Sequence, residues 1–346
     1  MAAPKNIDYD DLIRRVTGDV TEHPRDLSKL YCERFKVSRV TANRFIQRLE
    51  RDGWISRSGP STHPVFSPGY RRRRSGLFAI EKLDENQLWE ESFSRYISVP
   101  PNVRNIIHHG FTEMVNNAVD HSQGGRVFAF LDQTEKSIGL VVSDDGVGIF
   151  KKIADALQLV DPRQAIFELS KGKLTTDPSK HSGEGIFFTS RMFDLFNIEA
   201  NDLAFSHLEK QEHDWLEEEG GILAGTTVHM TISLDSKRTA TEVFEKYMNV
   251  PEDFGFNKTV VPMKLARYGD EQLVSRSQAK RLIARFDRFK VVMLDFEGVA
   301  EIGQAFADEL FRVYARAHPD VQLVPTNYGE QVERMWQRAA TSDIGT

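Results

Sequence analysis

The sequence predicts a multidomain chain of the α+β class, and three observations carry that reading. Its 346 residues are about twice the length of a median single domain. Charge is unevenly divided: of 45 Lys and Arg and 51 Asp and Glu in the chain, residues 1 to 76 hold 16 and 9, so a basic head precedes an acidic body. Stretches of helical period alternate with short apolar strands throughout, with no internal repeat or low-complexity tract. The breaks in pattern give three blocks, 1–75, 76–235 and 236–346. With 40% apolar, 10% aromatic and 28% charged residues, the chain can bury real cores and is neither fibrous nor disordered. One cysteine, Cys32, cannot close an intrachain disulfide, and no apolar stretch follows a basic N-terminus, so a reducing, cytoplasmic setting is expected. The longest apolar runs, such as Val291 to Leu294, are strand-sized and far from the ~20 residues of a bilayer span, which excludes the membrane as a home. The formal net charge of -6 argues against a generic polyanion binder. Only the head has the sign for nucleic acid.

In the head, Leu27, Leu30, Tyr31 and Phe35 recur at helical spacing, and Lys36-Val37-Ser38 supplies a tight turn with Ser38 as N-cap of a second helix, Arg39 to Arg51. Ala42, Phe45, Ile46 and Leu49 share one stripe of that helix. Asn43, Arg44, Gln47 and Arg51 fall on the opposite face, with Arg48 at its edge. Arginine suits guanine edges and phosphates, and Asn or Gln suits adenine, so this exposed set fits major-groove readout. Gly53 ends the helix, Trp54-Ile55-Ser56 reads as a strand, and the stretch Gly59 to Gly69 reads as the tip of a wing before the run Arg71 to Arg74. The pattern resembles a winged helix-turn-helix domain, which implies double-stranded DNA as partner and a role in transcription regulation. The competing reading is a small trihelical docking module whose arginines form a solvated face.

The second block carries three boxes in order. Phe111 to Ser122 places Glu113 and Asn117 four residues apart, on one face of a helix. A carboxylate there can take a proton from a nucleophile, and an amide oxygen can complete the oxygen shell of magnesium beside phosphates. Arg126 to Leu131 and Ser137 to Val142 read as a hairpin that empties into Ser143-Asp144-Asp145-Gly146-Val147-Gly148-Ile149, where two glycines let the backbone approach a flat ligand and Asp144 can accept from an exocyclic amine. The third box, His181-Ser182-Gly183-Glu184-Gly185-Ile186, opens a helix running through Met192, and its amides can cradle phosphate.

This order resembles the ATP-binding domain of the GHKL superfamily (gyrase, heat-shock chaperones, histidine kinases and mismatch-repair ATPases) over roughly residues 77 to 235. The resemblance implies a Bergerat-type α/β sandwich with ATP and Mg2+ as cofactors. It implies Asn117 as magnesium ligand, Asp144 as the carboxylate bonding the adenine amino group, and Glu113 as general base. Gly146, Gly148, Gly183 and Gly185 become phosphate and lid backbone, and Thr226 in Gly-Thr-Thr-Val helps hold adenine through water. A mobile lid is expected between Phe150 and Ser182, with Lys171, Lys173 and Lys180 candidates to reach phosphates from it. The chain departs from the family pattern in two places. Asp120 stands where many histidine kinases have a basic residue. The segment ahead of Glu113 is too short for a phosphoacceptor hairpin, and His108 and His109 lack the Glu and Pro of a phosphoacceptor box, so a conventional two-component kinase is not expected. His121 is expected to pack or bond locally, and the acidic insert Glu209 to Gly221 to be a solvated loop.

The third block reads as helix Thr239 to Met248, a hairpin-like pair around Tyr268-Gly269-Asp270, a helix from Ser277 to near Phe286, strand Lys290 to Phe296, helix Gly303 to Ala317, strand Val321 to Pro325 and helix Glu330 to Ala339. The stretch around Asp295 resembles STAS-like modules found in partners of anti-sigma-factor kinases. The positions matching their phosphorylated serine are Gln304 and Ala305, so phosphorylation there is not expected. A regulatory or interaction module that binds a protein partner stands beside a merely structural appendage.

Three functions follow from these blocks. One is an ATP-responsive DNA-binding regulator, in which a nucleotide biases the docking of the head. Another is a serine/threonine protein kinase of the anti-sigma-factor type, with Glu113 deprotonating a partner's hydroxyl. The third is a non-hydrolysing ATP sensor. Enzymatic phosphoryl transfer is left open by the sequence, as is the oligomeric state, a homodimer included.

Overall fold

The computed structural model describes residues 8–174, 183–209, 213–218 (backbone only), 224–247, 257–266 and 272–341. The chain divides into two compact units. The first takes Met1–Val147, Phe193–Leu195 and Ala224–Lys237, and the second takes Gly148–Met192, Phe196–Leu223 and Arg238–Thr346. Elements are numbered along the chain.

The first unit opens with three helices, α1 (Tyr9–Glu22), α2 (Leu27–Phe35) and α3 (Arg39–Arg51), followed by an antiparallel hairpin of β1 (Ile55–Ser58) and β2 (Val65–Pro68). The Asp8 side chain caps α1 through the Asp10 amide, and the Ser38 hydroxyl accepts from the Thr41 amide at 3.2 Å, as its N-cap position requires. Leu12, Val16, Leu27, Tyr31, Ile46 and Leu49 form the centre of a closed core that Trp54, Ile55 and Phe66 complete from the hairpin. The first helix expected from the sequence lay between Pro24 and Phe35; α1, within the same 1–75 block, was not expected, because its apolar positions are interrupted by Thr17 and Gly18. Both have a structural use. The Thr17 hydroxyl accepts from the Arg73 amide at 3.0 Å, and a Cβ on Gly18 would stand 3.2 Å from the Arg74 guanidinium.

The arginine run differs from expectation. Arg72 to Arg74 begin β3 (Arg72–Ala79), so the boundary expected between residues 75 and 76 falls inside a strand. Arg73 bonds Asp132 at 2.8 Å, Arg71 lies 3.6 Å from Glu135, Arg72 donates to the Gly69 and Tyr96 carbonyls, and Arg74 lies over the Tyr96 ring. These four guanidinium groups are thus engaged by the sheet, by Tyr96 and by Gly69 instead of standing free on a basic surface.

After α4 (Glu85–Ser92), the 21-residue α5 (Pro101–His121) starts with Pro101 in its first turn, where a missing N–H costs nothing. Then come β4 (Arg126–Gln133), β5 (Ser137–Asp144) and β9 (Thr227–Ser233), antiparallel in the order β3-β4-β5-β9. Alternate residues Val127, Ala129, Leu131, Ile138, Leu140 and Val142 are buried, as a half-covered sheet dictates. Ile106, Phe111, Met114 and Val115 are the buried face of α5, and Phe111 meets Trp89 of α4 with ring centroids 5.2 Å apart.

In the second unit, α6 (Ile149–Leu157), α7 (Arg163–Ser170) and α8 (Gly185–Met192) precede β6 (Leu195–Ala200), β7 (Leu203–Leu208) and β8 (His213–Glu218). The turn from β6 to β7 places Asn201 and Asp202 both at positive φ, 53° and 61°, the signature of a type I′ hairpin. Residues 213–218 of the acidic insert, expected as a loop, form β8 and pair with β7. Beyond α9 (Ala240–Tyr247), three parallel strands in the order β10 (Lys258–Pro262), β11 (Val291–Asp295) and β12 (Gln322–Thr326) carry α10 (Arg276–Leu282), α11 (Gln304–Ala307), α12 (Ala315–Ala317) and α13 (Glu330–Thr341). The expected single helix from Gly303 to Ala317 is continuous but π-wound over Asp308–Tyr314. Strand β10 was not foreseen, because its apolar run is only Val260-Val261 before Pro262. The hairpin expected around Tyr268-Gly269-Asp270 lies outside the described residues, and no described helix is long and apolar enough to cross a membrane.

Leu49 is fully buried in the head core. Leu49→Ala should destabilise the head by roughly 2–5 kcal/mol, read as an earlier urea midpoint in Trp54 fluorescence. An unchanged midpoint would show that the head does not depend on this core.

Candidate functional site

The first unit gathers most of the residues expected to act. Glu113 and Asn117 are half-buried on α5, one turn apart. The helix ends at Ser122, whose carbonyl accepts from the Val147 amide at 2.9 Å and whose hydroxyl accepts from the Gly124 amide at 2.9 Å. The end of α5 is therefore fastened to the loop that follows β5. Asp144, the last residue of β5, is buried, and its Oδ1 accepts from the amides of Gly146 (2.9 Å) and Thr226 (3.3 Å), with a further bond from the Thr226 side chain. Desolvation pushes the Asp144 carboxyl above the ordinary carboxylate range, against those hydrogen bonds and with a smaller push from Asp145. Asp145 points outward and is held below that range, first by the Arg126 amide, then by the Gly125 amide and the Arg126 guanidinium.

Gly225 is a further constrained position that was not among the expected site residues. Its φ is +85°, and a Cβ there would collide with the Asp144 backbone carbonyl, so β9 can pass this close to Asp144 only with glycine at that position. The signal was present as the glycine directly before Thr226. Gly146 is equally constrained, since a Cβ would strike the Ser122 carbonyl.

Asn117 supplies the second pointer to a ligand. Its Nδ2 is buried with no hydrogen-bond partner among the described residues, at a cost of about 1–3 kcal/mol for a lone buried polar group. A phosphate oxygen would satisfy it, and the same amide turned over presents its oxygen to a cation.

Gly148, Gly183 and Gly185 belong to the second unit. Gly148 precedes α6 at φ +85°, and the Asn201 side chain caps the same turn by accepting from the Lys151 amide at 3.0 Å. The Gly183 carbonyl accepts from the Leu174 amide at 3.0 Å, and Gly185 is the first residue of α8. The lysines expected to reach phosphates are placed otherwise. Lys171 is fully buried against Glu168 at 2.6 Å, and Lys173 donates to the Arg288 carbonyl at 2.9 Å. Lys180, His181 and Ser182 lie outside the described residues.

On α3, Asn43, Arg44, Gln47, Arg48 and Arg51 are all exposed. Two are engaged within the head: Asn43 accepts from the Ser28 hydroxyl at 2.9 Å, and the Arg48 guanidinium lies 3.5 Å over the Tyr9 ring and 3.6 Å from Asp52.

Residues 79–204 match the family model of the histidine kinase-like ATPase domain, and residues 278–333 match that of a STAS-like domain of unknown function. No curated protein matches the chain. The chain thus carries a histidine kinase-like ATPase domain and a STAS-like domain.

A raised pKa in the fold means that the stability tied to the neutral Asp144 is full below the ordinary carboxylate pKa and is lost as pH rises through the higher folded value. At pH 7 the ionised group is therefore a cost. Asp144→Asn keeps an Oδ1 acceptor for both amides and should melt at the same or a higher temperature at pH 7, the difference narrowing toward pH 4. A lower melting temperature at pH 7 would overturn this electrostatic account.

Proposed function

We propose that the chain is an ATP-binding regulator whose head contacts double-stranded DNA. The observation that carries the nucleotide half is the buried Asn117 Nδ2, without a hydrogen-bond partner among the described residues, on the helix fastened to the Asp144 loop and inside a region matching a histidine kinase-like ATPase domain. Asp144 is the acceptor for the adenine amino group. Its carboxylate is desolvated and its Oδ1 is already committed to the loop amides, which holds the group in one orientation for an incoming donor. Thr226 steadies that carboxylate, Asn117 is the residue for Mg2+, and Gly146, Gly148, Gly183 and Gly185 supply backbone amides toward phosphate. Bound Mg-ATP supplies a transferable phosphoryl group. Glu113, one turn before Asn117 on α5, accepts the proton of the attacking oxygen, whether from water or from a partner's hydroxyl.

The DNA half rests on three helices followed by a hairpin, the order of a winged helix-turn-helix, and on Arg44, Gln47 and Arg51 standing exposed on α3. The wing is β1-β2. Arg48 and Asn43 take secondary parts because each already has a partner in the head. A STAS-like domain in the same chain supports a protein partner as well, and with it the kinase reading.

Incubation with γ-labelled Mg-ATP separates the readings. Free phosphate marks an ATPase, a labelled protein in cell extract marks a kinase, and binding without either marks a sensor. Glu113→Ala should leave Mg-ATP affinity within about twofold and reduce turnover by ~100-fold or more, whereas Asn117→Ala should weaken Mg-ATP itself. Turnover that survives in Glu113→Ala removes the base assignment, and failure of the wild type to take up Mg-ATP in calorimetry removes the nucleotide reading.

For the head, Arg44→Ala with Arg51→Ala should lower duplex affinity and reduce the slope of log K against log salt by about 2. An unchanged slope would leave the head as a protein-docking module.

A further inference from the structure

The segment that leads from α7 toward the third glycine box is held largely by the STAS-like domain, through Ala284, Arg285 and Arg288. Glu168, at the end of α7, is buried and shared by two cations: the Lys171 ammonium at 2.6 Å and the Arg285 guanidinium at 2.8 Å. Lys171 also donates to the Ala284 carbonyl at 2.9 Å, and its own carbonyl accepts from the buried Thr259 hydroxyl at 2.6 Å. Arg285 then reaches along the backbone, donating to the carbonyls of Gly172 (2.8 Å) and Lys173 (2.6 Å). Arg288 donates to the Lys173 carbonyl at 3.0 Å, and Lys173 returns a bond to the Arg288 carbonyl. The residue after Lys173 is Leu174, whose amide bonds the Gly183 carbonyl at 3.0 Å. Hydrogen bonds from the STAS-like domain to Lys173, the backbone from Lys173 to Leu174 and the Leu174–Gly183 bond therefore form one path to Gly183.

Two features mark this contact as more than incidental packing. Arg285 adopts φ +67°, a left-handed conformation that a β-carbon disfavours and that persists only where surrounding contacts determine it. The cluster also sets two cations against one carboxylate in a buried place, and burial pulls the Lys171 ammonium down to about 8. Such an arrangement contributes little net stability but fixes geometry closely.

We infer that Arg285 is a positioning residue for Gly183 at the third glycine box, so that the STAS-like domain sets how tightly that glycine backbone binds the phosphates of a nucleotide. A segment already ordered by Arg285 loses less freedom when it binds phosphate, and loosening it must weaken that binding. A ligand or protein that displaces Arg285 from Gly172 and Lys173 would act in the same way as removing the side chain. The inference rests on the nucleotide reading proposed above.

The test compares full-length wild type, Arg285→Ala, Arg285→Lys and Arg288→Ala. The last lies at the exposed rim of the contact and keeps the question decidable if Arg285→Ala folds poorly. Without nucleotide, amides of residues 168–174 should exchange about tenfold faster or more in Arg285→Ala, with α5 and β5 unchanged. Mg-ATP affinity should fall about fivefold or more, while adenosine, which meets the Asp144 loop but carries no phosphate, should bind as in the wild type. Arg285→Lys, able to keep the Glu168 pair but not both carbonyls, should be intermediate in both measurements, and Arg288→Ala should show the same changes in smaller measure. Unchanged exchange in Arg285→Ala and Arg288→Ala overturns the inference. So does loosened exchange with unchanged or tighter Mg-ATP binding, or equal loss of adenosine and ATP, which would mark general damage. A wild type that binds neither ATP nor adenosine overturns the nucleotide reading and this coupling with it, whatever the exchange rates show.

Discussion

The burial of one carboxylate organises the first unit. Removing an ionised Asp from water costs several kcal/mol, and hydrogen bonds to a charged group return about 1.5–3 kcal/mol each. Asp144 receives bonds from two amides and the Thr226 side chain, enough to keep it in place but not enough to bring its pKa back to the ordinary value. The loop around it is closely built: Gly225 must be glycine for β9 to approach, Gly146 must be glycine for the Ser122 carbonyl to approach, and Ser122 ties the end of α5 to the loop. Under the proposed function, a desolvated carboxylate already fixed in orientation would meet the amine donor of adenine without reorganising, which is the basis of preorganised recognition.

The same unit shows why the head is not a tethered module. The arginine run reads in sequence as more positive charge for a nucleic-acid surface, because a run of like charges is ordinarily solvated. Here each arginine finds a carboxylate, a carbonyl or a ring, and the Arg73 amide is bonded by Thr17 of α1. The freely solvated basic charge of the head is smaller than the count suggests, and Arg44 and Arg51 on α3 are part of it. The connection also leaves no linker: the head core ends at Phe66 and the sheet begins at Arg72.

What was legible in the sequence was whatever depends on local spacing. Glu113 and Asn117 lie on one helix, Asp144 ends a strand, Gly185 opens α8, and most strands and helices of the third block fall where their apolar periods put them. Tertiary pairing set what was missed. Strand β10 has too few apolar residues to show a period and forms because β11 lies beside it; β8 looks like a solvated acidic loop and becomes a strand by pairing with β7. Lys171 and Lys173 look like lid cations because nothing local announces that Glu168, Ala284 and Arg288 are their partners, more than a hundred residues away in the last two cases. Gly225 was visible only as a letter before Thr226; its necessity comes from the approach of another strand.

The buried cluster in the second unit is a poor device for stability and a good one for position. Its two cations share one carboxylate, so replacing the set with apolar side chains of similar volume would cost little or even stabilise. A hydrophobic replacement, however, could not bond the carbonyls of Gly172 and Lys173, and those bonds decide where Leu174, and hence Gly183, is held. Arginine suits the place because its planar fork can bond a carboxylate and two backbone carbonyls at once, which lysine cannot do. Hydrophobic packing in the STAS-like domain, around Phe286, Val292, Leu294 and Phe306, supplies the rigidity. The ion cluster turns that rigidity into the position of a backbone segment outside the domain.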